Sequence, residues 1–168
     1  RRRAFEELVG KLFNKKWIFH TFRIETKTEF DEHIFKKFGK KCFKCKIPLS
    51  TRKAMALDHT FPIAMLWSLD MSATCLCKTC NSSKGEKFPV DFYSSLELST
   101  LSKITGLPLS KLQSKLVNIK ALEKLKKDIV WFFDDFLMQA DFQKIRKGKL
   151  TADNIYRSLL DVIKQSGL

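Results

Sequence analysis

No apolar run in the 168-residue sequence is long enough to span a bilayer, and Arg1-Arg2-Arg3 is not followed by the apolar stretch of a secretory signal. Those absences set the expectation of neither a helical membrane protein nor a secreted precursor. They point to a cytoplasmic chain of bacterial or phage type with no membrane partner. No internal repeat or low-complexity linker interrupts the chain. Five cysteines at this length are too few for the disulfide framework of a small secreted domain. Of the three histidines, His20 and His33 stand away from the cysteines. What the sequence has in quantity is apolar material, 44% hydrophobic with 15 Phe, enough for a compact body of one domain with a helical appendage. A first residue that is arginine and not methionine reads as a fragment or trimmed product of a longer protein, with target recognition lying elsewhere.

Four of the cysteines form two Cys-x-x-Cys pairs, Cys42/Cys45 and Cys77/Cys80, separated by a long insert. Each pair offers two thiolates from one turn, and the insert returns the chain to close a tetrahedral site, which is how structural zinc is held. Four thiolates leave no open position. Lys41, Lys44 and Lys46 surround the first pair and favour thiolate over thiol. Cys75 stands two residues before Cys77 on an expected strand and shares its face, as a small buried hydrophobe or as a rival ligand, with the core role preferred.

Inside the bracket, Ala54-Met55-Ala56-Leu57 reads as a short strand delivering Asp58-His59 into a loop. Thr74-Cys75-Leu76-Cys77 reads as a second strand, and Asn81-Ser82-Ser83-Lys84 opens a helix before Gly85 and Pro89 interrupt it. Cys-x-x-Cys, then Asp-His-x-x-Pro, then Cys-x-x-Cys-Asn-x-x-Lys-Gly resembles the HNH endonucleases, over roughly 42–87. The resemblance implies a ββα-metal core braced by a four-cysteine zinc. It makes Asp58 a ligand of a catalytic divalent ion, His59 the general base and Asn81 the second ligand, with Lys84 facing a phosphate. The central asparagine that orients the histidine in that family falls near Ser72, so that role is unassigned here.

The residue types suit the chemistry on their own account. Oxygen ligands such as Asp58 and Asn81 hold a hard ion, magnesium or manganese, against the charge that develops on a phosphodiester. The attacking water needs a base poised near neutrality, and His59 is the histidine beside those ligands.

The net charge is +14, and Arg1–Lys53 carries 16 basic against 6 acidic residues. A basic excess on one segment is what binding to a phosphate backbone requires, and Lys36, Lys37, Lys40 and Lys41, which lead into the first cysteine pair, are the candidate contacts to double-stranded DNA.

Outside the bracket the pattern is helical. Phe5, Leu8, Val9, Leu12 and Phe13 form one stripe, and Ile34, Phe35 and Phe38 another that Gly39 ends. Trp17–Ile24 reads equally as strand or helix. Leu98–Ile104 suggests a short helix closed by Gly106 and Pro108. From Leu109 to Leu137 apolar residues recur at steps of three or four, as one long amphipathic helix or two in series. A basic loop, 144–149, precedes a last helix capped by Thr151 and carrying Ile155, Leu159, Leu160 and Ile163.

The expectation is an α+β protein: a basic, mainly helical segment over 1–41, a zinc-braced nuclease core over 42–93 and a helical segment over 94–168, packed together as one domain. Its expected activity is metal-dependent DNA cleavage of the restriction or nicking kind, in a homodimer or larger restriction assembly. The rival expectation is a non-catalytic zinc-ribbon module that binds nucleic acid or protein.

Overall fold

The computed structural model describes residues 2–146 and 148–167; Arg1, Lys147 of the basic loop, Leu168 and the Trp17 side chain lie outside the described residues. In chain order the helices and strands are α1 (Arg2–Leu12), α2 (Lys15–Thr26), α3 (Phe30–Lys37), β1 (Met55–Asp58), β2 (Thr74–Cys77) and α4 (Lys78–Lys84). There follow α5 (Pro89–Phe92), α6 (Ser95–Thr105), α7 (Leu109–Leu112), α8 (Ile119–Lys127), α9 (Ile129–Trp131), β3 (Ile145–Arg146), β4 (Lys149–Leu150) and α10 (Thr151–Ser166). The class is α+β, with two separate two-stranded antiparallel sheets. No described helix is long and apolar enough to cross a membrane.

The chain divides into two compact units, one of Arg1–Phe13, Ile63–Trp67 and Leu116–Leu168, the other of Asn14–Pro62 and Ser68–Lys115. In the first unit, α1 buries Phe5, Leu8 and Val9 on one face, and this stripe belongs to the same core as Leu66, Leu122, Phe132, Phe136, Ile155 and Leu159. Removing such side chains from water contributes roughly 1.5–3 kcal/mol each. Asn118 ties this core together: its side chain donates to the Leu66 carbonyl at 3.0 Å and accepts from the Ala121 N–H, capping α8.

The cap starts α8 afresh, and the apolar series from Leu109 to Leu137 does not run as one helix or two. It is cut after α7, begins again behind Asn118, stops at Asp128, and continues through α9 into a π-helical turn over Phe132–Phe136. Leu116, Ile119, Ile129 and Phe133, counted into one stripe by their spacing, are exposed. Thr151 is likewise not a cap. It is the first residue of α10 and its hydroxyl donates to the Lys144 carbonyl at 2.7 Å.

In the second unit, Trp17–Ile24 lies inside α2, settling the strand-or-helix choice. The ring of Phe30, from α3, stacks on Phe19 and meets Phe22 edge-on. β1 and β2 pair with Met55 opposite Cys77 and Asp58 opposite Thr74. The chain passes from the last residue of β2 straight into α4, which contacts both strands. The helix starts three residues before Asn81 because the Cys77 sulfur accepts from the Cys80 N–H at 3.4 Å and so serves as its cap.

Candidate functional site

The β1–β2 hairpin carries a different chemical group at each end. At the Met55–Cys77 end, the sulfurs of Cys42, Cys45, Cys77 and Cys80 all lie within 4.8 Å of one another. The Cys45 and Cys77 sulfurs are 3.9 Å apart, too far for a disulfide. A zinc–sulfur distance near 2.3 Å in a tetrahedron puts sulfurs roughly 3.8 Å apart, so the donor set fits one ion of that size.

The first cysteine pair is held in place by main chain. The Cys42 N–H donates to Ile47, the Lys46 N–H to Cys42, and the Phe43 N–H to the Cys75 carbonyl of β2 at 2.8 Å. Lys46 turns the knuckle with a positive φ of 64°. Burial pushes the Cys42 thiol up, but hydrogen bonds from the Cys45 and Cys77 backbone outweigh it and bring the group down to about 7. The same proximity, added to burial, drives Cys80 upward. A set of thiols competing for protons in this way is one that a cation would relieve. Cys75 stays outside the cluster as a fully buried core residue, its thiol pushed up to about 12 by burial and then by Cys42 and Cys77.

At the other end stand Asp58 and His59, both buried at 4% and 8% exposure. Lys84, whose side chain is 0% exposed, places its ammonium 3.0 Å from Asp58 Oδ2 and 3.3 Å from Oδ1, and donates to the His59 carbonyl at 2.8 Å. Instead of presenting itself to a phosphate, Lys84 is turned inward onto the very dipeptide that the sequence singles out. Asn81 precedes Lys84 by three positions and therefore lies on the same face of α4, half-buried.

Three features of this end have no counterpart in a sequence motif. Thr60, beside His59, donates to the Ser72 carbonyl and sits 2.6 Å from the Thr74 hydroxyl, both threonines being buried. Ser72 itself donates to Asp70 through its N–H and its hydroxyl, so its side chain is committed elsewhere and its carbonyl is what pins the loop. Tyr93, buried as well, is held well above its ordinary pKa by burial and then by the charge of Asp58.

Around the first cysteine pair, Lys44 donates to Glu97 at 2.7 Å and to the Phe92 carbonyl at 3.1 Å, with its ammonium over the rings of Phe92 and Tyr93. Of the lysines proposed for DNA, Lys40 and Lys41 are exposed and Lys36 pairs with Glu32 one turn away. Lys37 is half-buried, donating to the Met71 carbonyl, and its pKa is lowered by burial against the opposing pull of Asp70.

The chain matches no family model, no curated protein and no solved structure.

Proposed function

We propose that this protein is a metal-dependent DNA endonuclease of the HNH type, with zinc in the four-cysteine cluster and magnesium or manganese at Asp58 and Asn81. The observation that carries the reading is the order of elements around the dipeptide. An antiparallel pair ends in Asp58-His59 and runs directly into a helix whose buried lysine touches both residues.

The cysteine set takes a closed structural ion, since four thiolates saturate a tetrahedron. One carboxylate and one amide oxygen suit an ion that keeps several waters, and such an ion, when bound, stabilises negative charge on a phosphate oxygen. The chain supplies the rest. His59 accepts the proton of the attacking water at an imidazole nitrogen, Lys84 holds the His59 backbone through its carbonyl in the ion-free site, and the Thr60–Thr74 pair with the Ser72 carbonyl holds the loop that follows. Basic side chains at Lys36, Lys40 and Lys41 meet the phosphate backbone.

A second reading, a non-catalytic zinc-ribbon module, is favoured by the low exposure of Asp58 and His59. Nicking of supercoiled plasmid with magnesium or manganese separates the two. His59→Ala is expected to lose about 10²–10⁴ in cleavage rate while keeping zinc content and DNA affinity, the usual worth of a positioned base. Asn81→Ala is expected to regain part of its activity as the divalent ion is raised. No nicking by wild type with any of these metals, zinc and fold intact, would favour the zinc-ribbon module, and equal cutting by wild type and His59→Ala would take the base role from His59.

A further inference from the structure

Asp58 satisfies the proposed divalent ion in donor type and conflicts with it in charge. Both of its oxygens already face one ammonium, at 3.0 and 3.3 Å, inside a site where the lysine side chain is 0% and the carboxylate 5% exposed. A divalent ion bound to either oxygen at about 2.1 Å stands within a few ångströms of that ammonium, and like charges this close, shielded from water, repel strongly. The lysine is also costly to leave without its partner, because a buried charge stripped of its counter-charge is strongly destabilising.

We propose that Lys84 is the resident counter-ion of Asp58: it neutralises the carboxylate and holds the Asp58-His59 dipeptide in place until a divalent ion displaces it, and so sets the affinity of the site for that ion. The inference rests on the endonuclease reading. It makes Lys84 a positioning residue and a gate for cation entry. The site is then folded and neutral without the ion, with its selectivity set by which cations repay the loss of the Lys84 contacts. Binding should also loosen the His59 carbonyl, since the same ammonium donates to it at 2.8 Å.

The test reads metal binding directly, by electron paramagnetic resonance of free manganese against protein, in wild type, Lys84→Met and Asp58→Asn. Zinc content and thermal unfolding are followed in parallel. Methionine fills the space of lysine without its charge. Lys84→Met is expected to bind manganese about 10- to 100-fold more tightly than wild type, because one repelling charge is removed. It is also expected to melt lower without manganese and to gain more from it, by linkage. Asp58→Asn is expected to lose the binding.

The unmodified protein gives a second reading that does not depend on a variant folding. Acetylation with acetic anhydride, mapped by mass spectrometry, should leave Lys84 protected without magnesium and reactive at saturating magnesium, with exposed Lys36 as the internal reference. If Lys84→Met binds manganese as wild type does or more weakly, or if Lys84 stays protected while the ion binds, the gate is wrong and the endonuclease reading stands. If no form binds manganese at Asp58 and none cuts DNA, with zinc and fold intact, the endonuclease reading fails and takes the gate with it.

Discussion

The two ends of the β1–β2 hairpin solve the same problem with different chemistry. Each must hold several polar groups together away from water. At the Met55–Cys77 end, four sulfurs gather within 4.8 Å, a geometry that suits a shared cation. At the Asp58–Thr74 end, the protein supplies the cation itself in Lys84, and two threonine hydroxyls pair across the strands. The first arrangement offers four thiolates, a set that a structural ion would close. The second is paired within the chain, ammonium to carboxylate, and under the proposal above that ammonium would give way to an ion.

If that contrast holds, disturbing the cysteine end has the largest effect. Structural zinc in small modules carries on the order of 10–16 kcal/mol of apparent binding energy, comparable to the whole stability of a typical domain. Cys42→Ser or Cys80→Ser is therefore expected to unfold the hairpin and α4, with loss of circular dichroism and of zinc by elemental analysis. Cys75→Ala, two residues from a ligand, should keep one zinc per chain. Protein purified without chelator and found free of zinc, yet fully folded, would break the comparison outright.

The Asp58 end should respond in smaller steps. Thr60→Val removes the hydroxyl that reaches both Ser72 and Thr74, leaving a half-buried carbonyl and a buried hydroxyl short of a partner. About 1–3 kcal/mol of unfolding free energy should be lost, the ordinary cost of such orphaned groups, with zinc content unchanged. Denaturant titration checks it, and a simultaneous loss of zinc would show that the two ends are not separable.

Much of the cysteine end is legible in the sequence, because its information is local. Cys-x-x-Cys is a property of four consecutive residues, and a strand of four residues leaving Asp58 at its tip shows as a short apolar run. The partners of those residues are not local. Lys84 lies 26 positions from Asp58, Thr74 lies 14 from Thr60, and Glu97 lies 53 from Lys44, so no window of the sequence contains either pair member's reason for being there. Helical periodicity misleads between Leu109 and Leu137 for a related reason. Spacing records which residues are apolar, while the break at Asn118 is decided by its bond to Leu66, 52 positions earlier. In the same way, α1 and α10 share one core although they stand at opposite ends of the chain.

The smallest expected effect lies between the knuckle and α6. Glu97 caps its own helix through a reciprocal box with Ser94 and accepts from Lys44 at 2.7 Å, in a setting where the two side chains are 18% and 31% exposed. Burial raises the pKa of this carboxylate, but hydrogen bonds from Lys44 and from the Ser94 backbone outweigh burial, so it sits below its ordinary 4.5. Because the folded value is the lower one, the folded state binds the proton less readily than the unfolded chain does. The stabilisation is therefore fully present above 4.5 and is lost as pH falls through the depressed value. Thermal unfolding between neutral pH and the acid range should show that loss in the wild type, and Lys44→Met should diminish it by removing the first hydrogen bond that holds the carboxylate down. At neutral pH the substitution should cost on the order of 1 kcal/mol, since both partners keep some contact with water. An acid transition that is the same in wild type and Lys44→Met would mean that the Lys44–Glu97 pair does not carry the pH dependence of stability.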